Sequence, residues 1–215
     1  MSFSPGLTVP LRADNDLAAM AAALMQSRQT ILPKRLESPG PDAAQLDLIL
    51  NAASTAPDHG QLLPWRFVRV PQAERSRLAD VFGAALTERD AAATPAQVAQ
   101  AQDKAHRSPL LMLVVVDGER GDPDIDLAER IVSAGCAVQN MLLMATALGF
   151  GSALTSGKAL KSAGLRELFG LAPGEQALCF VNVGTVQSRK KTRLRPAPAN
   201  FTSSLLPDAK EASGF

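Results

Sequence analysis

Segments of helical and of strand periodicity follow one another along the chain, separated by proline- and glycine-rich breaks. From Asn15 to Gln26, Leu17, Met20, Leu24 and Met25 recur at helical intervals. Pro33, Pro39, Gly40 and Pro41 interrupt that pattern. Asp42 can then N-cap a second helix, which carries Leu46, Ile49 and Leu50 and stops before Pro57. Trp65 to Val70 alternates apolar and basic side chains, which predicts a strand with one face covered. A helix is expected from about Gln72 to Arg89, and the polar, alanine-rich stretch from Asp90 to Arg107 reads as mobile or lid-like. Leu110 to Val116 is continuously apolar, as a central strand buried on both faces requires. After a turn-rich segment at 118–123 comes a long apolar helix, Leu127 to Leu148, closed by Gly149. A shorter helix from about Ala159 to Phe169 ends at Gly170, and Leu178 to Val183 reads as another buried strand. The remainder of the chain is basic and proline-rich, without strong periodicity until Leu205. Residues 1–13 read as an irregular arm and 14–215 as a single domain, with no internal repeat and no long linker.

The helix from Leu127 to Leu148 changes this picture most. A helix apolar nearly all round must be covered on every side. Packing against its own copy across a two-fold axis would do this, and so would a central position in a monomer. A membrane span is the poorer explanation, because adjacent Gln139 and Asn140 would both need partners in lipid. The first 25 residues lack the basic start of an export signal, which makes the cytoplasm the expected location.

Composition narrows the function classes. With 22 basic and 21 acidic residues the net charge is +1, so a dedicated binder of nucleic acid or of anionic membranes is not expected. Cys136 and Cys179 lie far apart in apolar runs and read as buried free thiols. Neither shares ligand spacing with His59 or His106, so no metal site is expected. Gly149-Phe150-Gly151 starts like a dinucleotide fingerprint, but Leu154 stands at the third glycine position and a helix precedes it. Two histidines allow little general-base chemistry, so an enzyme of this composition would position a cofactor that carries the reaction.

Three stretches resemble the FMN-dependent nitroreductase family. The first is Ala56-Pro57-Asp58-His59-Gly60 with Leu63-Pro64-Trp65-Arg66-Phe67. The second runs from Ser133 to Leu143 and on through Ala147 to Gly151. The third is Leu165 to Leu171, then Val181-Asn182-Val183-Gly184-Thr185. The resemblance implies an α+β fold, with a central, mostly antiparallel sheet flanked by helices and two chains intertwined as a homodimer. It also implies FMN in grooves between the chains, NAD(P)H as reductant and a nitroaromatic, quinone or similar small acceptor, served by a ping-pong mechanism. A flavin or small-ligand binding module with little turnover, and a cofactor-free dimeric interaction protein, are the alternatives.

The resemblance also suggests site residues. Arg28-Gln29-Thr30 matches the family's R-R-S-type element, which would put Arg28 and Thr30 on the FMN phosphate; from residues alone, a solvated cation at a helix C-terminus is the preferred reading of Arg28. Thr55 and His59 match flavin contacts made from the neighbouring chain, although a lone histidine is more often structural. Leu154, Thr155 and Ser156 match the segment along the flavin ring, and Met144 and Gly149 match nicotinamide positions. Arg193, with Lys191 next, is the candidate for a late phosphate-binding cation in a run that otherwise reads as a solvated tail. Gln29, Thr55 and Thr155 stand where this branch of the family usually carries a basic residue, and Leu154 replaces a tryptophan.

Overall fold

The computed structural model describes residues 16–188 and 194–205. The helices are α1 (Asp16–Ser27), α2 (Ala43–Ala53), α3 (Arg75–Arg89), α4 (Pro95–Asp103), α5 (Leu127–Ala147) and α6 (Ala163–Leu168). The strands are β1 (Leu36–Glu37), β2 (Trp65–Arg69), β3 (Leu110–Asp117), β4 (Gly151–Thr155) and β5 (Glu175–Val186). Residues 23–190 make one compact unit, which holds the whole sheet. In a second unit the described parts are residues 16–22, within α1, and 194–205, which hold a single turn of 3-10 helix at Pro198–Asn200. The arm at 1–13 and the candidates Lys191 and Arg193 lie outside the described residues.

Every pairing in the sheet is antiparallel. The order is β1-β5-β3-β2, with β4 also paired to β5, so the mixed α+β expectation holds. β3 runs through the centre, and its alternate side chains feed two different cores. Leu110, Met112 and Val114 join Val181, Val183, α2 and α5 on one face. Leu111, Leu113 and Val115 join Phe180, α3 and α6 on the other. That double burial is what the unbroken apolar run from Leu110 to Val116 encodes.

Local chemistry explains most element ends. Asp42 accepts a hydrogen bond from the Gln45 amide at 2.8 Å, and the Asp42 amide donates to the Gln45 side chain, so α2 starts with a capping box. Thr94 and Gln97 do the same for α4. The stretch from Asp90 to Arg107 is therefore built around a capped helix rather than a loose segment. The Thr-Pro-Ala-Gln run at 94–97 carried that signal, with proline at the first helical position. Gly149 closes α5 with φ +87°, a conformation that costs glycine little. Beyond it lies β4, a strand that the periodicity of the sequence does not predict.

The signature around Trp65 is structural in this chain. The Trp65 indole donates to Ser133 Oγ at 3.0 Å, which ties β2 to α5, and its ring meets Phe67 at 5.3 Å. Further along, Arg66 grips Glu175 with two nitrogens at 2.6 and 2.8 Å. Hydrogen bonding from Arg66 holds the Glu175 carboxyl below its ordinary range. A depressed carboxylate stabilises the fold above its unfolded value, about pH 4.3, and the contribution is lost as pH falls through the folded value. Glu175→Gln should accordingly flatten the acid limb of a stability-versus-pH curve followed by urea melts. An unchanged slope below about pH 4.3 would remove the pair from the account.

Candidate functional site

A cavity of about 620 Å³ opens on the α3 and α6 face of the sheet, a size typical of small-molecule sites. Its floor is Leu111 of β3 with Phe180 and Asn182 of β5. Residues two apart on a strand share a face, which is why Phe180 and Asn182 both reach it while Val181 enters the opposite core. Phe82 and Leu86 of α3 and Ala101 of α4 form one wall; Leu32, Pro33 and the segment from Thr155 to Leu160 form the other. Among the described residues four cations line it, Arg89, Lys104, Arg107 and Lys158, and no carboxylate does. Arg107 is held by Asp103 at 2.8 Å, one turn away. At Gly157 an added Cβ would meet nothing within 4 Å, so the backbone there is open to a ligand.

Of the residues expected at a ligand, Thr155 and Ser156 line this cavity. Leu154 does not, because the pleat sends it to the other face, where it is 44% exposed. Arg28, Gln29 and Thr30 lead into the same edge: Thr30 bridges Ser152 of β4, and the Ile31 amide donates to the Ser152 carbonyl at 2.9 Å. Arg28 is half-buried just past α1, its amide bonded to the Leu24 carbonyl.

Thr55 and His59 sit elsewhere in the chain, against α5. Thr55 Oγ1 accepts from Asn140 at 3.0 Å, and His59 Nδ1 meets Glu129 at 2.8 Å. Neither lines the cavity of its own chain. Met144 packs on the α2–α5 core and Gly149 lies in the turn after α5, so neither joins the cavity lining. Sequence reasoning passed over Phe82, Leu86, Arg89, Lys104, Arg107 and Asn182. Lys104 and Arg107, three apart after an amphipathic helix, were the available hint.

The α5 face holds a second, shallow depression of about 160 Å³, lined by Ile131, Gly135, Val138, Leu142, Leu154 and Leu178 among others. Burial there pushes the Cys179 thiol up to about 11. Its lining is almost wholly apolar, and at Gly135 an added Cβ would meet nothing within 4 Å. No helix among the described residues is long and apolar enough to cross a membrane. Glu129 and Arg130 fall within α5 itself.

Fold and cavity together define an α+β protein that presents a cationic, aromatic-floored pocket at the edge of an antiparallel sheet. The chain belongs to the nitroreductase family, whose model matches residues 25–185. It is 32% identical over 175 residues to the "Putative NAD(P)H nitroreductase" of Haemophilus influenzae, covering 81% of this chain and 93% of that protein. It is 34% identical over 172 residues to the Escherichia coli K12 protein of the same description, YdjA, covering 79% and 91%. The nitroreductase-like family protein of Bacillus cereus shares the fold with a TM-score of 0.72 at 18% identity, over 93% of this chain and 99% of that one. The NADPH:FMN oxidoreductase of Vibrio harveyi, complexed with NAD+, shares it with a TM-score of 0.67 at 18% identity, over 86% and 77%.

Proposed function

We propose that this chain is an FMN-dependent oxidoreductase that passes hydride from NAD(P)H to a nitroaromatic, quinone or similar small acceptor, as a cytoplasmic homodimer. The observation that carries the reading is the cavity: four cations, no carboxylate, and an apolar floor ending in Phe180. Those residues fit a planar ring bearing a phosphate. Phe180, Phe82 and Leu160 offer apolar surface to a ring, and the open backbone at Gly157 permits close approach. Of the lining cations, Lys104, Arg107 and Lys158 are assigned in this reading to the phosphate and the polar ring edge, with Arg28 joining them as the family resemblance implies. Arg193, outside the described residues, is the late phosphate contact that the family resemblance implies. When bound, FMN supplies the two-electron chemistry that none of these side chains offers, accepting a hydride and later giving it up. The protein's part is to bind, to orient and to exclude water, with reductant and acceptor taking the same cleft in turn. Thr55 and His59, outside the cavity of their own chain, come to the flavin from the partner in this reading. The apolar face around Gly135 is then where the second copy sits, and Met144 and Gly149 lie on the nicotinamide side.

Freshly purified protein should be yellow and should bleach anaerobically when NADH or NADPH is added. Colour with only slow bleaching would favour a flavin-binding module with little turnover, for which Gln29, Thr55 and Thr155 at usually basic positions argue. Colourless protein that does not quench added FMN would favour a cofactor-free interaction protein. Arg28→Ala should weaken FMN binding at least about tenfold, in line with about 1.5–3 kcal/mol for a hydrogen bond to a charged group. Fluorescence titration of the apoprotein measures it, and an unaltered titration would take Arg28 out of the site.

A further inference from the structure

Asn182 is 2% exposed, yet it lies in the cavity floor, and its hydrogen bonds are fully directed. Its Nδ2 lies 3.0 Å from Thr155 Oγ1 and 3.4 Å from the Ala153 carbonyl, while its Oδ1 lies 3.0 Å from Ser108 Oγ. The sheet register explains the meeting: Asn182 stands opposite Leu111 on one side and Ala153 on the other, and Thr155 is two residues further along β4 on the same face. The Ala153 and Phe180 carbonyls set which way the amide points. Turned over, its oxygen would face the Ala153 and Phe180 carbonyls, at 3.4 and 3.5 Å, with no proton between them. Ser108, also buried, lies within hydrogen-bond reach of Oδ1 at 3.0 Å and of the Leu110 carbonyl at 3.1 Å, and its one proton serves either acceptor.

This orientation fixes the polarity of Thr155. Its oxygen accepts from the Asn182 amide, so its own proton cannot be spent on Asn182. Among the described residues Asn182 is its hydrogen-bond partner, and the side chain borders the cavity. We propose that Asn182 is a positioning residue, held by Ser108, that presets the Thr155 hydroxyl as a hydrogen-bond donor toward an acceptor atom on the ring edge of the bound flavin. The family resemblance matches Thr155 to a position usually filled by a cation. In this chain a neutral donor with a fixed direction replaces a mobile charge, and a buried amide supplies the direction. The inference rests on the flavin reading of the cavity.

The test is titration of the apoprotein with riboflavin and with FMN, followed by quenching of flavin fluorescence at neutral pH. Riboflavin lacks the phosphate, so it isolates the ring contact. Thr155→Val should weaken both ligands by the same factor, roughly three- to tenfold, the range for one neutral hydrogen bond. Thr155→Ser should restore binding to within about twofold, because it keeps the hydroxyl. Asn182→Asp replaces the donor with a group that accepts only, so Thr155 must turn its proton away from the cavity. Riboflavin affinity should fall in the Thr155 background and should not fall further in Thr155→Val. If Asn182→Asp does not fold, Ser108→Ala takes its place, with a smaller loss that again disappears in Thr155→Val. Undiminished riboflavin binding by Thr155→Val would overturn the proposal, as would an equal loss from Asn182→Asp in both backgrounds. Failure of the unaltered protein to quench either flavin would instead overturn the flavin reading, and this proposal with it.

Discussion

Arg75→Ala should lower the unfolding free energy by about 3–5 kcal/mol, read from urea melts followed by circular dichroism. Arg75 is 1% exposed, and its guanidinium has no carboxylate among the partners given by its hydrogen bonds. It donates instead to three carbonyls: Val70 at 2.9 Å, Ala105 at 2.7 Å and Pro109 at 3.3 Å. Burial lowers its pKa, so the fold carries a desolvation cost that only those three bonds offset. Alanine would leave each acceptor unpaired, at about 1–3 kcal/mol apiece, partly relieved by entering water. The effect should not stop at stability. Ala105 and Pro109 bracket the segment that carries Arg107, so loosening them frees the cationic wall of the cavity. FMN affinity should fall as well, although Arg75 is not among the lining residues. Arg75→Lys keeps the charge but cannot reproduce the planar fork, and should recover only part of the loss. A variant within about 1 kcal/mol of the unaltered protein would show that water replaces the guanidinium without penalty.

Gly135→Arg should convert a dimer into a monomer that still folds. On the single chain nothing lies within 4 Å of a Cβ at this position, and arginine is the better helix former by roughly 0.5–1 kcal/mol. The isolated fold therefore has no reason to object. In the proposed dimer, the same side chain would drive a charge into an apolar contact formed by Ile131, Leu142, Leu154 and Leu178. An unpaired buried charge costs several kcal/mol, so self-association should weaken at least about a hundredfold. Sedimentation velocity measures the state, and circular dichroism checks the helix content. Flavin affinity should fall in parallel, because in the proposed reading Thr55 and His59 reach the ring from a second copy. If the unaltered protein sediments as a single chain, or Gly135→Arg leaves the dimer intact, this face has another role.

The legible parts of this molecule are those whose physics is local. Asp42 announces α2 because a capping side chain acts within one turn, and the run from Leu110 to Val116 announces β3 because a doubly buried strand favours apolar residues on both faces. The same kind of signal at Thr94 is outweighed by the polar composition around it, so a capped helix reads as a loose segment in the sequence. β1 and β4 are short, and β4 holds two residues, Gly151 and Ser152, that do not favour strands on their own. They exist because β5 offers a long edge on which to pair.

For the candidate site the divide falls in the same place. Residues of one sequence motif can be named together, as with Leu154, Thr155 and Ser156, but the pleat sends Leu154 to one face and Thr155 to the other. The sequence by itself determined the family and the class of fold, and of the cavity lining it named Thr155 and Ser156, since each follows from short-range pattern. Only the tertiary structure decided that Lys104, Arg107, Phe82 and Asn182 line one cavity with Thr155. Those outcomes depend on register and on helix–sheet packing between residues far apart in the chain. No local propensity encodes them.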